Sequence, residues 1–236
     1  MTADMLCDGV VLDVLAREGI VTVPGLSASA VRHMLDGLGH PTHHGHVHGA
    51  SVAAHQPGNS ACWSMADVLG APHFFEFALA LTSSAGRYLG QTPRLYSLNA
   101  FTTYPIDGPL NPDIQEWHRD RDDSRFLALF VYLTDVLHLE DGAHQFQGGT
   151  HEGAESGKVF TILGPAGTAF LADTRGLHRG ERPVGNTRTM AWARWCISDP
   201  PASYLWDAQT PASRDVLGDR YPADPSLRES IKLVVR

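Results

Sequence analysis

The order of apolar and polar residues divides the chain into a helical part and a strand-rich part. In residues 1–90 the apolar positions recur at the three- and four-residue spacing of amphipathic helices. Gly19 marks a helix stop and Ser27 a helix cap, and the short β-branched run 20–23 between them is typical of a strand. The helices predicted here are residues 9–18, a segment from Ser27 to Gly37 or Gly39, and residues 71–88.

After Pro93 the pattern changes to short runs rich in aromatic and β-branched residues, bounded by turn signals. Strands that follow one another without helical periods favour an antiparallel sandwich or barrel over a parallel α/β sheet. The predicted strands are RLYSLNAFTTY (94–104), RFLALFVYLTD (125–135), VFTILG (159–164), GTAFLAD (167–173) and TRTMAWARWCIS (187–198). We therefore predict one domain over 1–236, with helices outside a β-core at 93–198 and a Pro- and Asp-rich surface wrap at 199–236.

Composition narrows the class of protein. Of 236 residues, 43% are hydrophobic and 19% charged, which excludes a disordered chain, and no apolar run reaches the length of a membrane helix. The 18 Lys and Arg against 26 Asp and Glu give a net charge of −8, which argues against a nucleic-acid partner. Three widely spaced cysteines and an N-terminus that lacks a basic signal region predict a soluble, cytoplasmic protein.

The most informative short motif is His118-Arg119-Asp120. On a strand, residues i and i+2 point to the same face, so His118 and Asp120 can converge on one ion. His178, just after the predicted strand 167–173, is the candidate third ligand. Two histidines and one carboxylate form the facial triad of non-haem iron oxygenases, which leaves three coordination positions open. This ligand set favours iron, and zinc remains an alternative.

Arg188 follows His178 at a distance that suits a hairpin. A hairpin centred near Pro183 would place His178 opposite Arg188, with Cβ atoms about 5 Å apart. A guanidinium there could hold the far carboxylate of a dicarboxylate whose other end chelates the metal. The alternative is a structural ion pair between Arg188 and Asp173 or Asp199.

The motif His118-x-Asp120, the run DGAHQFQGGTH (141–151) and the run GTAFLADTRGLHRGERPVGNTR (167–188) together resemble the phytanoyl-CoA dioxygenase family of Fe(II)/2-oxoglutarate-dependent oxygenases. The resemblance extends from about Tyr96 to Ile197. It implies a mainly β fold with flanking α-helices, namely a double-stranded β-helix (jelly roll, cupin-like).

The resemblance also implies the chemistry of the site. Iron(II) would be held by His118, Asp120 and His178, and 2-oxoglutarate by Arg188, with dioxygen as the other co-substrate. The expected activity is that of a dioxygenase that hydroxylates a C–H bond of a small metabolite and releases succinate and CO2. Related halogenases carry a small residue in place of the carboxylate, so Asp120 favours hydroxylation or another oxidation.

Two departures from the family concern further contacts to 2-oxoglutarate. Phe130 stands where many relatives carry Trp, and Thr102-Thr103-Tyr104-Pro105 stands where Lys-Pro is common. By alternation Thr102 and Tyr104 share a face, and they are the candidate residues for those contacts.

Other polar residues have a structural and a functional interpretation. Six of the 13 histidines lie in residues 40–55, which we interpret as a surface loop or a lid over the substrate, with a metal-binding tract as the alternative. His144 and His151 are interpreted as structural or pocket-lining residues rather than ligands. Six arginines near the predicted site form either a solvated rim or a binding surface for an anionic group of a small-molecule substrate: Arg119, Arg121, Arg125, Arg175, Arg179 and Arg182.

Two other functions are compatible with the same residues. One is a non-catalytic, cupin-like ligand- or metal-binding protein, because a fold does not dictate a function. The other is a zinc hydrolase that uses the same triad. Turnover of 2-oxoglutarate and the identity of the bound metal distinguish the dioxygenase, the binding protein and the hydrolase from one another.

Overall fold

Two antiparallel sheets and a layer of helices form the protein. The computed structural model describes residues 9–41, 43–44, 60–105, 107, 110, 114–198 and 211–235, with the backbone alone at 43–44. The helices are α1 (Gly9–Glu18), α2 (Ala28–Leu38), α3 (Met65–Gly70), α4 (Phe74–Leu89) and α5 (Pro225–Ile231). The strands are β1 (Ile20–Val23), β2 (His43–His44), β3 (Ser60–Trp63), β4 (Arg94–Thr103), β5 (Phe126–Tyr132), β6 (His144–Gln147), β7 (Val159–Ile162), β8 (Ala169–Ala172), β9 (His178–Gly180) and β10 (Arg188–Cys196).

Both sheets are antiparallel throughout. The larger has the strand order β1-β8-β5-β10-β4-β3-β2, and the smaller has the order β7-β6-β9. Strands adjacent in space are distant in sequence, as in a double-stranded β-helix. The predicted fold class, a mainly β jelly roll with flanking helices, is therefore confirmed.

The central strands β4, β5 and β10 are buried on both faces, which explains their near-continuous apolar sequences. One face packs against the helices: Leu129 and Trp195 belong to the same cluster as Phe75 and Leu81 of α4. The other face turns toward the smaller sheet. It carries Phe101, Phe130, Tyr132, Phe170, Met190 and Trp192.

The N-terminal elements form where their capping residues predict. The Ser27 side chain accepts a hydrogen bond from the Ala30 amide at the start of α2. The helix α1 ends at Gly19, whose φ is +80°. A Cβ there would lie 2.5 Å from Nδ1 of His151, so the close approach of the chain to the β-core also requires glycine.

Several elements were not predicted. Strand β6 has the sequence HQFQ between glycine-rich turns, so its polar residues and its flanks resemble a loop. Strand β3 and helix α3 are short, and α5 lies in the segment predicted as a wrap. This segment also contributes buried apolar side chains to the core, among them Ile231 and Val234. Among the described helices, none has the length and apolar character needed to cross a membrane.

Candidate active site

The backbone brings His118, Asp120 and His178 together. His118 lies after β4 on the long connection to β5, and it pairs with His178 of β9 through two amide-to-carbonyl hydrogen bonds of 3.0 Å. The Asp120 amide donates to the Thr174 carbonyl at 2.9 Å. The triad is thus held by backbone hydrogen bonds that do not involve its side chains.

The side chains of the triad converge. Nε2 of His118 lies 3.8 Å from Oδ1 of Asp120, and Nε2 of His178 lies 3.7 Å from Oδ2. The two imidazole centroids are 4.2 Å apart. One potential ligand atom from each residue lies within 4.8 Å of the others, and across the described part of the chain no other three His, Cys, Asp or Glu side chains do so.

Hydrogen bonds fix the tautomer of both histidines. Nδ1 of His118 lies 2.8 Å from the Glu116 carbonyl, and Nδ1 of His178 lies 3.0 Å from the Gly176 carbonyl. A carbonyl only accepts, so each Nδ1 carries a proton, and in the neutral imidazole the lone pair is then on Nε2. This arrangement orients an imidazole for metal binding.

Burial and charge set the protonation of the triad. Burial lowers the pKa of His178 to about 4, so its imidazole is neutral at pH 7. Burial raises the pKa of Asp120, but Arg194, His178 and His118 outweigh this and hold its pKa below the ordinary value. Oδ2 of Asp120 is buried and accepts no hydrogen bond from the described residues. Two imidazoles and a carboxylate with an unused oxygen fit a divalent transition metal.

A second set of charges surrounds Asp120. Nη1 of Arg194 lies 2.7 Å from Oδ2 of Asp122, which also accepts a hydrogen bond from the Tyr96 hydroxyl. The guanidinium stacks on Trp192 with its carbon 4.5 Å from the ring centroid. Asp122, Tyr96 and Arg194 thus form a network next to the carboxylate of the triad, and no local pattern in the sequence indicates it.

Arg188 is a buried cation. It is 1% exposed and donates hydrogen bonds to the Gly142 carbonyl at 2.5 Å and to Oγ1 of Thr103 at 3.2 Å. Nε has no hydrogen-bond partner, and the guanidinium forms no ion pair with any carboxylate of the described chain. A buried charge normally has a counter-charge, so Arg188 has the environment of an anion-binding residue.

The predicted hairpin between His178 and Arg188 is wrong. Strand β9 pairs with β6 in the smaller sheet, while β10 pairs with β4 and β5 in the larger one. The chain from 181 to 187 therefore crosses between sheets. The two residues still face the same interior, because a Cβ on Gly180 of β9 would lie 2.9 Å from Nη1 of Arg188.

The hydroxyl that contacts Arg188 belongs to Thr103, not to Thr102. In the register of β10 and β4, Arg188 lies opposite Thr103. Thr102 lies on the other face of the sheet and shares a hydrogen bond of 2.8 Å with Oγ1 of Thr189. Tyr104 follows β4 and is half-buried. The structure thus separates Thr102 from the guanidinium and adds Thr103 to the site.

The alternative ion pair of Arg188 with Asp173 is not formed. Asp173 instead pairs with Arg175 at 2.7 Å and accepts a hydrogen bond from the Tyr88 hydroxyl at 2.7 Å. Asp199 lies outside the described residues.

Several of the six rim arginines are used within the protein. Arg119 donates to three backbone carbonyls, and Arg175 pairs with Asp173. Arg179 pairs with Glu181 at 2.8 Å and stacks on Trp117. These contacts favour the structural interpretation of these three side chains.

The remaining histidines are divided between core and surface. His151 is buried and its Nε2 contacts the Ala16 carbonyl at 3.1 Å, so it fastens α1 to the β-core. His144 is buried in the interior between the sheets. Of the His-rich segment, His40 is exposed, residues 43–44 form β2, and His46, His48 and His55 lie outside the described residues.

No protein-family model matches the chain, and no curated protein matches it significantly. Solved structures do match. The non-heme alpha-ketoglutarate-dependent epimerase SnoN from nogalamycin biosynthesis is 20% identical over 79% of this chain and 80% of its own, with a TM-score of 0.59. The carbocyclase SnoK from the same biosynthesis is 17% identical over 83% and 85%, with a TM-score of 0.58.

HygX from Streptomyces hygroscopicus, solved with nickel, 2-oxoglutarate and hygromycin B bound, is 13% identical over 82% of this chain and 88% of its own, with a TM-score of 0.60. At these identities the similarity establishes the shared fold. The chain is therefore built on the same scaffold as these enzymes.

Proposed function

We propose that the protein is a non-haem Fe(II)- and 2-oxoglutarate-dependent dioxygenase that hydroxylates a C–H bond of a small metabolite. The observation that carries this proposal is the buried guanidinium of Arg188, which has no counter-anion in the described chain and lies on the same interior as the triad. A metal with three open positions and a cation across the cavity together fit a dicarboxylate that chelates at one end.

The comparisons support this choice of cofactor and co-substrate. The structural neighbours include enzymes described as alpha-ketoglutarate dependent, and HygX has been solved with iron and with nickel plus 2-oxoglutarate. Two of the neighbours have been solved with a further small molecule bound: nogalamycin RO in SnoN and hygromycin B in HygX. We therefore propose a small-molecule substrate for this chain as well. Cys62 and Cys196 are buried and not joined in a disulfide, which supports a reducing, cytoplasmic location.

Each residue of the site has a role in this proposal. The Nε2 atoms of His118 and His178 and the carboxylate of Asp120 would hold iron, which supplies activation of dioxygen when bound. Arg188 would bind the far carboxylate of 2-oxoglutarate with its fork of N–H donors. The aromatic side chains of Phe130, Phe170 and Trp192 line the interior and would exclude water from it.

The backbone contributes orientation. His118 and His178 keep their positions through the paired amide and carbonyl groups, and their Nδ1 protons are bound by Glu116 and Gly176 carbonyls. The ligand set is therefore pre-organised before the metal binds, which reduces the conformational cost of binding.

Anaerobic addition of Fe(II) and 2-oxoglutarate to the metal-free protein tests the proposal. We expect a weak visible charge-transfer band in the wild type, absent in Asp120→Ala and His178→Ala, and release of succinate in air. Well-folded protein that gives neither signal would favour a non-catalytic binding protein. Activity with zinc and without oxygen consumption would favour a hydrolase.

A further inference from the structure

His144 occupies the interior next to the candidate metal site. Its side chain is buried, at 4% exposure, and its ring lies among three others. The centroid is 5.6 Å from that of His178 at an interplanar angle of 23°, and about as far from two aromatic rings of the larger sheet, 5.0 Å from Phe130 and 4.9 Å from Phe170. The imidazole therefore stands where an apolar ring would pack equally well.

One nitrogen of this ring has no hydrogen-bond partner among the described residues. Nε2 of His144 is buried and forms no hydrogen bond with the described residues. The residue's backbone amide is satisfied by the Tyr132 hydroxyl at 2.9 Å, so the unmet group belongs to the side chain alone. A buried polar atom without a partner is costly, and a bound group that donates or accepts there would remove this cost.

Strand pairing places His144 between the triad and Arg188. In the smaller sheet His144 lies opposite Gly180, two residues after His178 on β9. Gly180 has no side chain, and a Cβ there would lie 2.9 Å from Nη1 of Arg188. The guanidinium of Arg188 therefore lies beside Gly180, which pairs with His144 across the two strands. On its other side, the His144 ring stacks on the His178 ring.

His144 does not belong to the metal site itself. The side chains whose potential ligand atoms lie within 4.8 Å of one another are His118, Asp120 and His178. A group that extends from this triad to Arg188 passes the imidazole of His144. Two of the buried polar atoms without a hydrogen-bond partner in the described chain are Nε2 of His144 and Nε of Arg188, and each donates to an oxygen anion when it carries a proton.

We propose that His144 is a further co-substrate-binding residue, whose Nε2–H donates a hydrogen bond to a carboxylate oxygen of a 2-oxo dicarboxylate held between the triad and Arg188. This inference rests on the proposed function and names a residue of the same site. Phe130 and Phe170 fix the plane of the imidazole, so the donor is held in place before the dicarboxylate binds.

Calorimetric titration of 2-oxoglutarate into the Mn(II)-loaded protein tests the inference without turnover. His144→Phe keeps a ring and removes both nitrogens, and His144→Gln removes the ring but keeps an N–H donor at about the reach of Nε2. We expect His144→Phe to raise the Kd of 2-oxoglutarate at least tenfold and His144→Gln to restore part of this loss, with the Kd of Mn(II) unchanged in both.

A stability measurement separates this role from a structural one. Removing an unpartnered buried polar atom leaves the metal-free protein at least as stable, so we expect His144→Phe to keep or raise Tm in the absence of ligand. The same variant should lose most of the rise in Tm that 2-oxoglutarate gives to the Mn(II)-loaded wild type. Phe170→Leu, which alters the packing of the ring but removes no polar atom, is the matched control and should change the Kd of 2-oxoglutarate less than His144→Phe does.

Three results would overturn the inference. In the first, His144→Phe binds 2-oxoglutarate as the wild type does. In the second, it loses Mn(II) affinity in parallel, which would make His144 a support for His178. In the third, His144→Phe unfolds at a lower temperature than the wild type without ligand and His144→Gln restores no affinity. A wild type that binds Mn(II) but not 2-oxoglutarate would instead contradict the proposed function, and the inference with it.

Discussion

Nη2 of Arg194 lies 3.5 Å from Oδ2 of Asp120, and Nη1 of the same guanidinium lies 2.7 Å from Oδ2 of Asp122. One buried cation therefore bridges the carboxylate of the triad and a second carboxylate that is itself hydrogen-bonded to Tyr96. The face of the guanidinium rests on Trp192. This network sets both the charge and the orientation of Asp120.

Replacing Arg194 should weaken metal binding. In Arg194→Met, Asp120 and Asp122 lose the cation that orients them, and outer residues of this kind typically contribute about 10- to 100-fold to metal affinity. We expect a loss of that size in the Kd of Mn(II), measured by calorimetry. Arg121→Met removes an exposed arginine of the same segment and should leave the Kd unchanged. Equal metal affinity in wild type and Arg194→Met would show that the network does not position Asp120.

Replacing Arg188 should weaken the binding of 2-oxoglutarate and leave the binding of the metal unchanged. Arg188→Met removes the fork of donors, so we expect the Kd of 2-oxoglutarate to rise about 100-fold or more while the Kd of Mn(II) stays constant. Arg188→Lys keeps a charge without the bidentate geometry and should fall between the two. A parallel loss of metal affinity would assign Arg188 a structural role instead.

Gly180 should be intolerant of a side chain because of Arg188. The Cβ of Gly180→Ala would lie 2.9 Å from Nη1 of Arg188 and displace the guanidinium. We expect the Kd of 2-oxoglutarate to rise about tenfold, a change of ~1.4 kcal/mol, with metal binding intact. Gly185→Ala is the matched control, since nothing lies within 4 Å of its Cβ. Unchanged affinity for 2-oxoglutarate in Gly180→Ala would contradict the placement of the anion beside Nη1.

Asp123 should contribute stability that depends on pH. Burial raises its pKa, but hydrogen bonds from Ser198, Ser124 and Ile197 outweigh this and lower the pKa below its ordinary value. A lowered pKa in the folded state stabilises the protein above about pH 4, and this stabilisation is lost as pH falls.

Thermal unfolding of Asp123→Asn tests this sign. Because Asp123 is half-buried, solvent screening limits the effect, and we expect Tm at pH 7 to fall by about 2–4 °C. The difference from the wild type should shrink below about pH 4. Asp13→Asn, on the exposed face of α1, should leave Tm unchanged at both pH values. A difference that grows as the solution is acidified would contradict the assignment.

Only one pair of the candidate ligands is local in the sequence. His118 and Asp120 are two residues apart, and His178 follows the predicted strand 167–173, which the structure contains as β8. Spacing joined His118 to Asp120, whereas His178 was added from its place after that strand and from the family resemblance. Arg194 was missed because its partner Asp122 is 72 residues away, and no local pattern joins them.

The pairing register of the strands, and the sheet to which each strand belongs, could not be predicted from residue type and spacing. A shift of one residue moves a side chain to the opposite face of a strand, and the position of Thr103 opposite Arg188 is set by pairing between β4 and β10. Likewise, the turn residues between Gly180 of β9 and the start of β10 are compatible with a hairpin and with a crossing to the other sheet. Tertiary packing decides between them, because β9 completes its pairing with β6.

The reciprocal amide–carbonyl pairing of His118 with His178 has a consequence for the metal-free protein. Two of the three candidate ligands are joined through the main chain, so removal of a bound ion with a chelator should leave the pair in register. The metal-free site should therefore bind an ion again without refolding. Its metal affinity should stay the same over repeated cycles of removal and reloading.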